Sequence, residues 1–338
     1  MALLEVEHLT VEFHTHQGVV RAVRDVSYEL EPGETLGIVG ESGSGKSVSS
    51  LAVMGLLPVP PAVVPPGARV SLEGRDLLEL APKEMRRVRG KEISMIFQDP
   101  MTSLNPLLTV GRQLTEVLEV HRVARGRQAR EKCVRGLGDV GIPDPERRMT
   151  AFPHELSGGM RQRVMIAMAL LCDPKVIFAD EPTTALDVTI QAQILELMRA
   201  LQEQHGTAIV LITHDLGVVA GMADRVNVMY AGRIVERGPT LPLFETPLHP
   251  YTQGLIASVP VLHGDPERSL HSIEGQPPDL VELPPGCAFA PRCEHAVERC
   301  RRDDPPLPEG ARVAACTELE AAGRAWAERG APAAEEVP

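Results

Sequence analysis

Short apolar runs alternate with amphipathic stretches along much of the chain, and this pattern predicts the order of strands and helices. Compact apolar runs typical of buried strands lie at 35–39, 176–179, 208–212 and 226–230. Stretches with helical spacing lie at 47–57, 189–204 and 215–221. Because strands that alternate with helices form mostly parallel sheets, we expect an α/β fold with a ligand at the carboxyl ends of the strands.

The pattern changes in two places, which predicts how the chain is divided. From 108 to about 171 the apolar residues keep helical spacing, which predicts a helical subdomain at about 100–172. After Gly238 the periodicity fades and Pro, Arg and Cys become frequent. We therefore expect a first domain at 1–240, a small loop-rich domain at 241–320, and a partly disordered tail at 321–338.

The segment GESGSGKS at 40–47 matches the phosphate-binding pattern G-x-x-x-x-G-K-[ST] and lies between a predicted strand and a predicted helix. Its glycines allow backbone N–H groups to turn toward phosphate oxygens, and the following helix adds the positive end of its dipole. Lys46 would bind the β- and γ-phosphates, and Ser47 would bind Mg²⁺. The nucleotide-binding residues predicted in this loop are Gly40, Ser42, Gly43, Ser44, Gly45, Lys46 and Ser47.

Two downstream segments carry further chemistry. The predicted strand at 176–179 is followed by Asp180 and Glu181, which suit a metal-side carboxylate and a general base for an attacking water. The run LSGGM places Ser157, Gly158 and Gly159 at the start of a predicted helix, where a cap hydroxyl and backbone N–H groups form a second anion-binding turn.

Composition excludes several classes of protein. The formal net charge of -12 and the pI near 5.4 argue against a nucleic-acid binder, which usually carries a basic surface. Aromatic residues make up only 3% of the chain, so we expect a mostly aliphatic core. The start of the chain does not resemble a signal peptide, and the apolar run 164–172 is about half the length of a spanning helix. We expect a soluble, cytoplasmic-type chain that reaches a membrane only through partners.

The phosphate loop, the LSGGM turn and the carboxylate strand, in this order, resemble the nucleotide-binding subunits of ABC transporters over about residues 3–238. The resemblance implies that Gln98 senses Mg²⁺ and contacts a transmembrane partner, that Asp187 belongs to the D-loop, and that His214 contacts the γ-phosphate of ATP. The family signature LSGGQ is LSGGM here, so Met160 departs from it.

The resemblance also implies an aromatic residue that stacks on adenine. Phe13 fits this role if the stretch 15–18 is an insertion, and His14 and His16 are the alternatives. In the family, the signature turn of one subunit completes the ATP site of another. Residues 157–159 would then serve the ATP of a second ATPase in a head-to-tail pair, and this chain's own site has all the hydrolytic residues.

The segments HPYTQGL at 249–255 and CAFAPRC at 287–293 narrow the resemblance to the ATP-binding subunits of dipeptide and oligopeptide importers, now extending to about residue 319. This implies a second related ATPase in a heterodimer, two transmembrane permease subunits, an extracytoplasmic peptide-binding protein, and a place at the cytoplasmic face of the membrane. Some relatives with similar tails import nickel or other solutes, so import of another small solute is an alternative.

Four cysteines, Cys287, Cys293, Cys300 and Cys316, are close together in the C-terminal region. Clustered cysteines in a cytoplasmic protein suggest a metal rather than disulfides. Their spacing contains no C-x₂₋₄-C pair, which argues against an ordinary zinc ribbon, so we expect a structural [4Fe–4S] cluster, with Zn²⁺ or no metal as alternatives. The arginines expected to offset the thiolate charge are Arg292, Arg299, Arg301 and Arg302.

Two other functions are compatible with the same motifs. The chain could be a soluble, permease-free ABC ATPase that acts on macromolecules, although the acidic composition and the importer-like C-terminal region argue against this. It could also be a regulatory module whose cysteines report redox state. The sequence favours an ATP-hydrolysing subunit that powers peptide import.

Overall fold

The computed structural model describes residues 2–99, 103–184, 187–259 and 272–329. The chain forms two compact units, each assembled from separate stretches of sequence. The first unit comprises Met1–Leu3, Leu30–Glu34 and Glu79–Ile212, and the second comprises Leu4–Glu29, Thr35–Leu78 and Thr213–Pro338.

The strands agree with the apolar runs of the sequence over most of the chain. They are β1 Leu4–Thr15, β2 Gly18–Leu30, β3 Thr35–Val39, β4 Ala62–Val63, β5 Arg69–Leu72, β6 Arg75–Asp76, β7 Ile93–Ile96, β8 Val176–Asp180, β9 Ala208–Thr213, β10 Arg225–Tyr230, β11 Arg233–Pro239 and β12 Val313–Ala314.

The helices lie between the strands and beyond them. They are α1 Lys46–Val53, α2 Pro82–Val88, α3 Val110–Val120, α4 Gly126–Asp139, α5 Pro145–Arg148, α6 Gly158–Leu170, α7 Val188–His205, α8 Leu216–Met222, α9 Thr240–Glu245, α10 Pro250–Ala257 and α11 Leu319–Arg329, with short 3₁₀ turns at Pro153–Glu155, Ala290–Arg292 and Glu298–Arg301. None of the helices in the described ranges is long and apolar enough to cross a membrane.

In the first unit, β7, β8 and β9 form parallel neighbours in that order. Every residue of β8 is buried, which explains why its sequence is an apolar run rather than an alternating one. The stretch predicted as a helical subdomain contains α3 to α6, and α3 buries Val110, Leu114 and Leu118 on one face, as the apolar spacing predicts. In this unit, Gln98 follows β7, and Asp180 ends β8 with Glu181 directly after it.

In the second unit, β3 pairs with β10 in parallel, and β11 and β12 continue from β10 as antiparallel neighbours. A separate antiparallel sheet has the order β2-β1-β5-β6, with β4 paired to β1. Helix α1 is shorter than the predicted 47–57, because Gly55 adopts a φ of 59° and ends it.

We call the described residues 240–259 and 272–329 the C-terminal module. The sequence predicts that this region is rich in loops, yet it also contains α9, α10 and α11. Its core is unusually aromatic for this chain: Tyr251, Phe289 and Trp326 are buried together, and Tyr230 joins them from the end of β10. The tail residues 330–338 lie outside the described residues.

Phe178 provides a test of the sheet core. Its side chain is 0% exposed in β8, whereas that of Phe97 is 40% exposed. Because a large cavity in a packed core costs about 3–5 kcal/mol, we expect Phe178→Ala to lower the melting temperature by roughly 10 °C. The matched variant Phe97→Ala should lower it far less. Differential scanning calorimetry measures both, and equal shifts would contradict the packing described here.

Candidate active site

The phosphate loop, residues 40–47, connects β3 to α1 and depends on glycine at two close approaches. Gly40 has a φ of 152° and Gly45 a φ of 99°. A Cβ atom at Gly40 would collide with the backbone carbonyl oxygen of Met229, and one at Gly45 would collide with that of Ala22. Gly45 precedes the first residue of α1, so the loop ends where the helix presents its unpaired N–H groups.

Lys46 is held inside this loop. Its side chain is buried, and its Nζ donates to the carbonyl oxygens of Gly40 at 2.8 Å and Glu41 at 3.0 Å. The N–H of Ser44 also donates to the Glu41 carbonyl, at 3.2 Å. The hydroxyl of Ser44 is buried and has no hydrogen-bond partner among the described residues. A glycine cradle with a lysine and an unpartnered buried hydroxyl fits the phosphates of a nucleotide.

Glu41 is a residue of this loop that the sequence motifs do not single out. Its backbone N–H donates to the Tyr251 hydroxyl at 2.8 Å, and its carboxylate accepts two bonds from Arg292, at 2.7 and 3.0 Å. The hydrogen bonds to Glu41 raise the pKa of the Arg292 guanidinium. The sequence contained a signal, because Tyr251 and Arg292 lie in the two segments that mark the importer resemblance.

The segment HPY has a local structural explanation. His249 caps α10 by accepting the N–H of Tyr251 on Nδ1 at 3.1 Å, and Pro250 occupies the first helical position. Burial lowers the pKa of His249 to about 4, which keeps its ring neutral and able to accept. This cap orients the first turn of α10 and hence the Tyr251 ring.

In the first unit, the structure brings Gln98 and Glu181 together. Asp180 ends β8 with a buried side chain, and Glu181 follows with a φ of 46°, a backbone conformation that is rare for a residue with a side chain. The Glu181 Oε2 accepts from Gln98 Nε2 at 2.9 Å and from Thr184 Oγ1 at 2.8 Å. Two neutral donors therefore orient a carboxylate that belongs to a strained turn.

The LSGGM turn begins α6 as predicted. Ser157 accepts the N–H of Met160 on its hydroxyl at 3.3 Å, so the backbone contribution of Met160 is kept. Gly158 is exposed, and a Cβ at Gly159 would lie 3.0 Å from Ile190 of α7. The N–H of Ile190 donates to Asp187 at 3.0 Å, so Asp187 is the N-terminal cap of the helix that packs on the turn.

The same turn is tied to the carboxylate segment through Gln162, which is buried in α6. Its Nε2 donates to the carbonyl oxygen of Pro182 at 2.5 Å, directly after Glu181. The turn, Gln98, Asp180, Glu181 and Asp187 therefore all belong to the first unit.

The remaining predicted residues belong to the second unit with the phosphate loop. His214 follows β9 and is exposed, and Asp215 caps α8 behind it. Phe13 is half-buried in β1 opposite Ala62, and His14 and His16 are exposed. Ser42 is exposed, and Ser47 is half-buried in the first turn of α1. The roles assigned to these residues stay predictions.

The four C-terminal cysteines line one cavity of about 20 Å³, together with His249 and Phe289. Burial raises the pKa of Cys293 to about 12 and that of Cys316 to about 11. No group of three or more His, Cys, Asp or Glu side chains in the described ranges is placed to hold a metal ion. The donor chemistry suits a metal, but the side-chain arrangement adds no support for the predicted iron–sulfur cluster.

The arginines near these cysteines have other partners than predicted. Arg292 binds Glu41, Arg299 lies 3.4 Å from Asp303, and the Arg302 Nε lies 3.9 Å from Glu298. Carboxylates, rather than thiols, are thus the acidic partners of these three side chains.

Comparisons with known proteins agree with the two parts of this site. The family model described as ABC transporter matches residues 23–184, and the model described as oligopeptide/dipeptide transporter, C-terminal region, matches residues 235–300. The first range contains the phosphate loop, Gln98, the signature turn and both carboxylates. The second contains Tyr251 and Arg292.

Individual relatives cover most of the chain. It is similar to the oligopeptide transport ATP-binding protein OppD of Bacillus subtilis, with 57% identity over 305 residues that cover 90% of this chain and 85% of that protein. The dipeptide transport ATP-binding protein DppD of the same organism is 55% identical, with coverage of 89% of each chain.

A solved structure of similar fold is the dimeric post-hydrolysis state of the ATP-binding cassette MJ0796 bound to ADP and Pi. The TM-score is 0.63 at 28% sequence identity, and the match covers 70% of this chain and 98% of that one.

Proposed function

Because this chain belongs to the ABC transporter family and is an ABC-type ATPase, we propose that it powers import of dipeptides or oligopeptides through a membrane transporter. The observation that carries the proposal is the combination, in one chain, of a complete set of motor motifs with a C-terminal region of the oligopeptide/dipeptide transporter type. OppD and DppD, the relatives named above, are peptide transport proteins by name.

We assign ATP binding to the phosphate loop and the residues around it. The N–H groups of Gly43, Gly45 and the first turn of α1 would surround the β-phosphate, and Lys46 would exchange its bonds to loop carbonyls for phosphate oxygens. Ser47 and Gln98 would hold Mg²⁺, with Asp180 on the metal side. The ion, when bound, neutralises charge that develops on the phosphates.

Hydrolysis needs a base beside the γ-phosphate, and Glu181 is the residue suited to this role. Gln98 and Thr184 both donate to its Oε2 and orient the carboxylate, which would accept the proton of an attacking water in this assignment. His214 would contact the γ-phosphate, and Phe13 would stack on the adenine. A change in the Gln98 bond, when Gln98 turns to the metal, would alter the orientation of the base.

We further propose that the active unit is a head-to-tail pair. Ser157, Gly158 and Gly159 would contact the ATP bound by the second ATPase, and Asp187 would lie at the interface between the two ATPases. The capped turn supports this, because its N–H groups stand at the start of α6 with Gly158 exposed. The similar cassette of known structure is itself dimeric.

The partners follow from the same assignment. We propose a heterodimer with a second, related ATPase, two transmembrane permease subunits, and an extracytoplasmic peptide-binding protein. The chain would then lie at the cytoplasmic face of the membrane, attached through the permeases. We keep the division into an ATPase domain at 1–240 and a C-terminal domain at 241–320, which the two family matches support. The predicted tail at 321–338 begins within helix α11, whose Trp326 packs in the core of the C-terminal module.

We also propose that Cys287, Cys293, Cys300 and Cys316 hold a [4Fe–4S] cluster, with Zn²⁺ as the alternative. What supports this is the chemistry of the donors: four thiols from one module line the same cavity. We derive no step of ATP hydrolysis through this cluster.

The partner assignment can be tested by purification. The tagged chain should co-purify from native membranes in mild detergent with two polytopic permeases and a second ATPase, identified by mass spectrometry in equal amounts. The associated binding protein can then be screened with peptides and with nickel. Recovery of the chain alone, or with cytosolic proteins, would contradict the transport function and leave only the ATPase.

Glu181→Gln separates binding from hydrolysis. Because the amide cannot accept a proton, we expect turnover to fall at least about 100-fold while ATP still binds, and peptide uptake to stop. Glu203→Gln, which changes an exposed carboxylate of α7, should behave like the unmodified chain. Unchanged uptake by the Glu181 variant would contradict the role of this chain as a motor.

The metal is identified by anaerobic purification followed by iron, sulfide and zinc analysis. We expect about four iron and four sulfide per chain, both lost in Cys293→Ser. Cys172→Ala, at a buried cysteine of the helical subdomain, should keep them. Stoichiometric zinc without sulfide would overturn the iron–sulfur assignment.

A further inference from the structure

The C-terminal module contacts the phosphate loop through the guanidinium group of Arg292, whose hydrogen-bonding capacity is fully used. Arg292 has five N–H donors, and all of them have partners. Two go to the Glu41 carboxylate, at 2.7 and 3.0 Å, and one to the Tyr230 hydroxyl at 3.4 Å. The other two go to the carbonyl oxygens of Glu274 at 3.0 Å and Ile273 at 3.3 Å. The side chain is only 5% exposed, so this is a built and largely desolvated contact.

A second contact reaches the same loop residue from α10. The Tyr251 hydroxyl accepts the backbone N–H of Glu41, while the Tyr251 ring packs 4.5 Å from the Tyr230 ring and 5.4 Å from the Phe289 ring, between centroids. Tyr251 is fully buried. The hydroxyl therefore has little freedom to follow the loop if the loop moves.

Glu41 connects these contacts to Lys46 and Ser44, which belong to the proposed phosphate site. Its carbonyl oxygen accepts from Lys46 Nζ and from the N–H of Ser44. Both ends of the Glu41 residue are thus fixed: the side chain and N–H by the C-terminal module, and the carbonyl by the loop lysine. A shift of Arg292 or Tyr251 would displace the group that positions Lys46.

The module also approaches the loop from the other side. Asp304 accepts from Arg24 at 2.9 Å and from Arg233 at 2.6 Å. The backbone N–H of Arg24 donates to the Gly232 carbonyl, and the Gly232 N–H donates to the Ser44 carbonyl, at 2.7 and 3.0 Å. The two paths reach two different residues of the loop, Glu41 and Ser44.

We propose that Arg292 and Tyr251 are positioning residues of the ATP site: through Glu41 they hold the phosphate loop in its binding conformation, so the C-terminal module sets the affinity for ATP. This rests on the proposed use of residues 40–47 for ATP. It assigns to the module a role inside its own chain, in addition to any role of its cysteines.

The test measures ATP affinity of the purified full-length chain by isothermal titration calorimetry. Arg292→Ala should raise the Kd for ATP about tenfold, and Tyr251→Phe, which removes a single oxygen atom, about threefold. Arg292→Lys should recover part of the loss. Arg299→Ala is the matched control, because this arginine of the same module is exposed and its ion pair is with Asp303.

Two readouts separate positioning from general stability. If Arg292 acts through Glu41, the double variant Glu41→Gln/Arg292→Ala should bind ATP no more weakly than Arg292→Ala, because both changes disrupt the same interaction between Arg292 and Glu41. In steady-state hydrolysis, KM should rise with little change in kcat.

Each other outcome has a defined meaning. Unchanged Kd and KM in Tyr251→Phe and Arg292→Ala, additive losses in the double variant, or equal losses in Arg299→Ala would overturn the inference. Tyr251→Phe keeps the test valid if Arg292→Ala does not fold. Failure of the unmodified chain to bind ATP would instead remove the proposed function itself.

Discussion

The site depends on one constraint, which is that backbone N–H groups can surround a phosphate only where no side chain intervenes. At Gly40 and Gly45 the loop approaches carbonyl oxygens of Met229 and Ala22 so closely that even one carbon atom would collide. Neighbouring backbone therefore restricts the loop at Gly40 and Gly45, whereas a Cβ atom at Gly43 would meet no atom of the described residues within 4 Å. Its conformation is set by neighbouring backbone, and its lysine is fixed by the carbonyls of the same turn.

The carboxylate that we propose as the catalytic base is held in a different way from the phosphate loop. Glu181 is only half-buried, its φ is positive, and its partners Gln98 and Thr184 are side chains with rotatable bonds. In the proposed function, the phosphate loop is fixed by close backbone packing, whereas the orientation of the base is set by side chains that can rotate, as ATP hydrolysis coupled to a conformational cycle requires.

Local sequence patterns predict most of the elements of this molecule, but they do not predict contacts between residues that are far apart in the sequence. The strand at 35–39, the phosphate loop, the capped turn at Ser157 and the carboxylates after β8 are all encoded in contiguous segments, and they form as expected. Glu41, in contrast, occupies an x position of its motif and gains its importance from Tyr251 and Arg292, each more than 200 residues away. Proximity in sequence predicts Arg292 beside the thiols, whereas its carboxylate partner is Glu41 of the phosphate loop, which no local pattern indicates.

The aromatic residues explain why the C-terminal module can act on the loop. Only 3% of the chain is aromatic, yet Tyr230, Tyr251 and Phe289 contact one another, and Trp326 completes the cluster. Large rigid rings contribute much contact area with few rotatable bonds, so their positions are strongly correlated. Since Tyr251 and Arg292 extend from this cluster to Glu41, order in the module favours the binding conformation of the loop. By thermodynamic linkage, a nucleotide that binds the loop stabilises the order of the module by the same coupling free energy by which that order favours nucleotide binding.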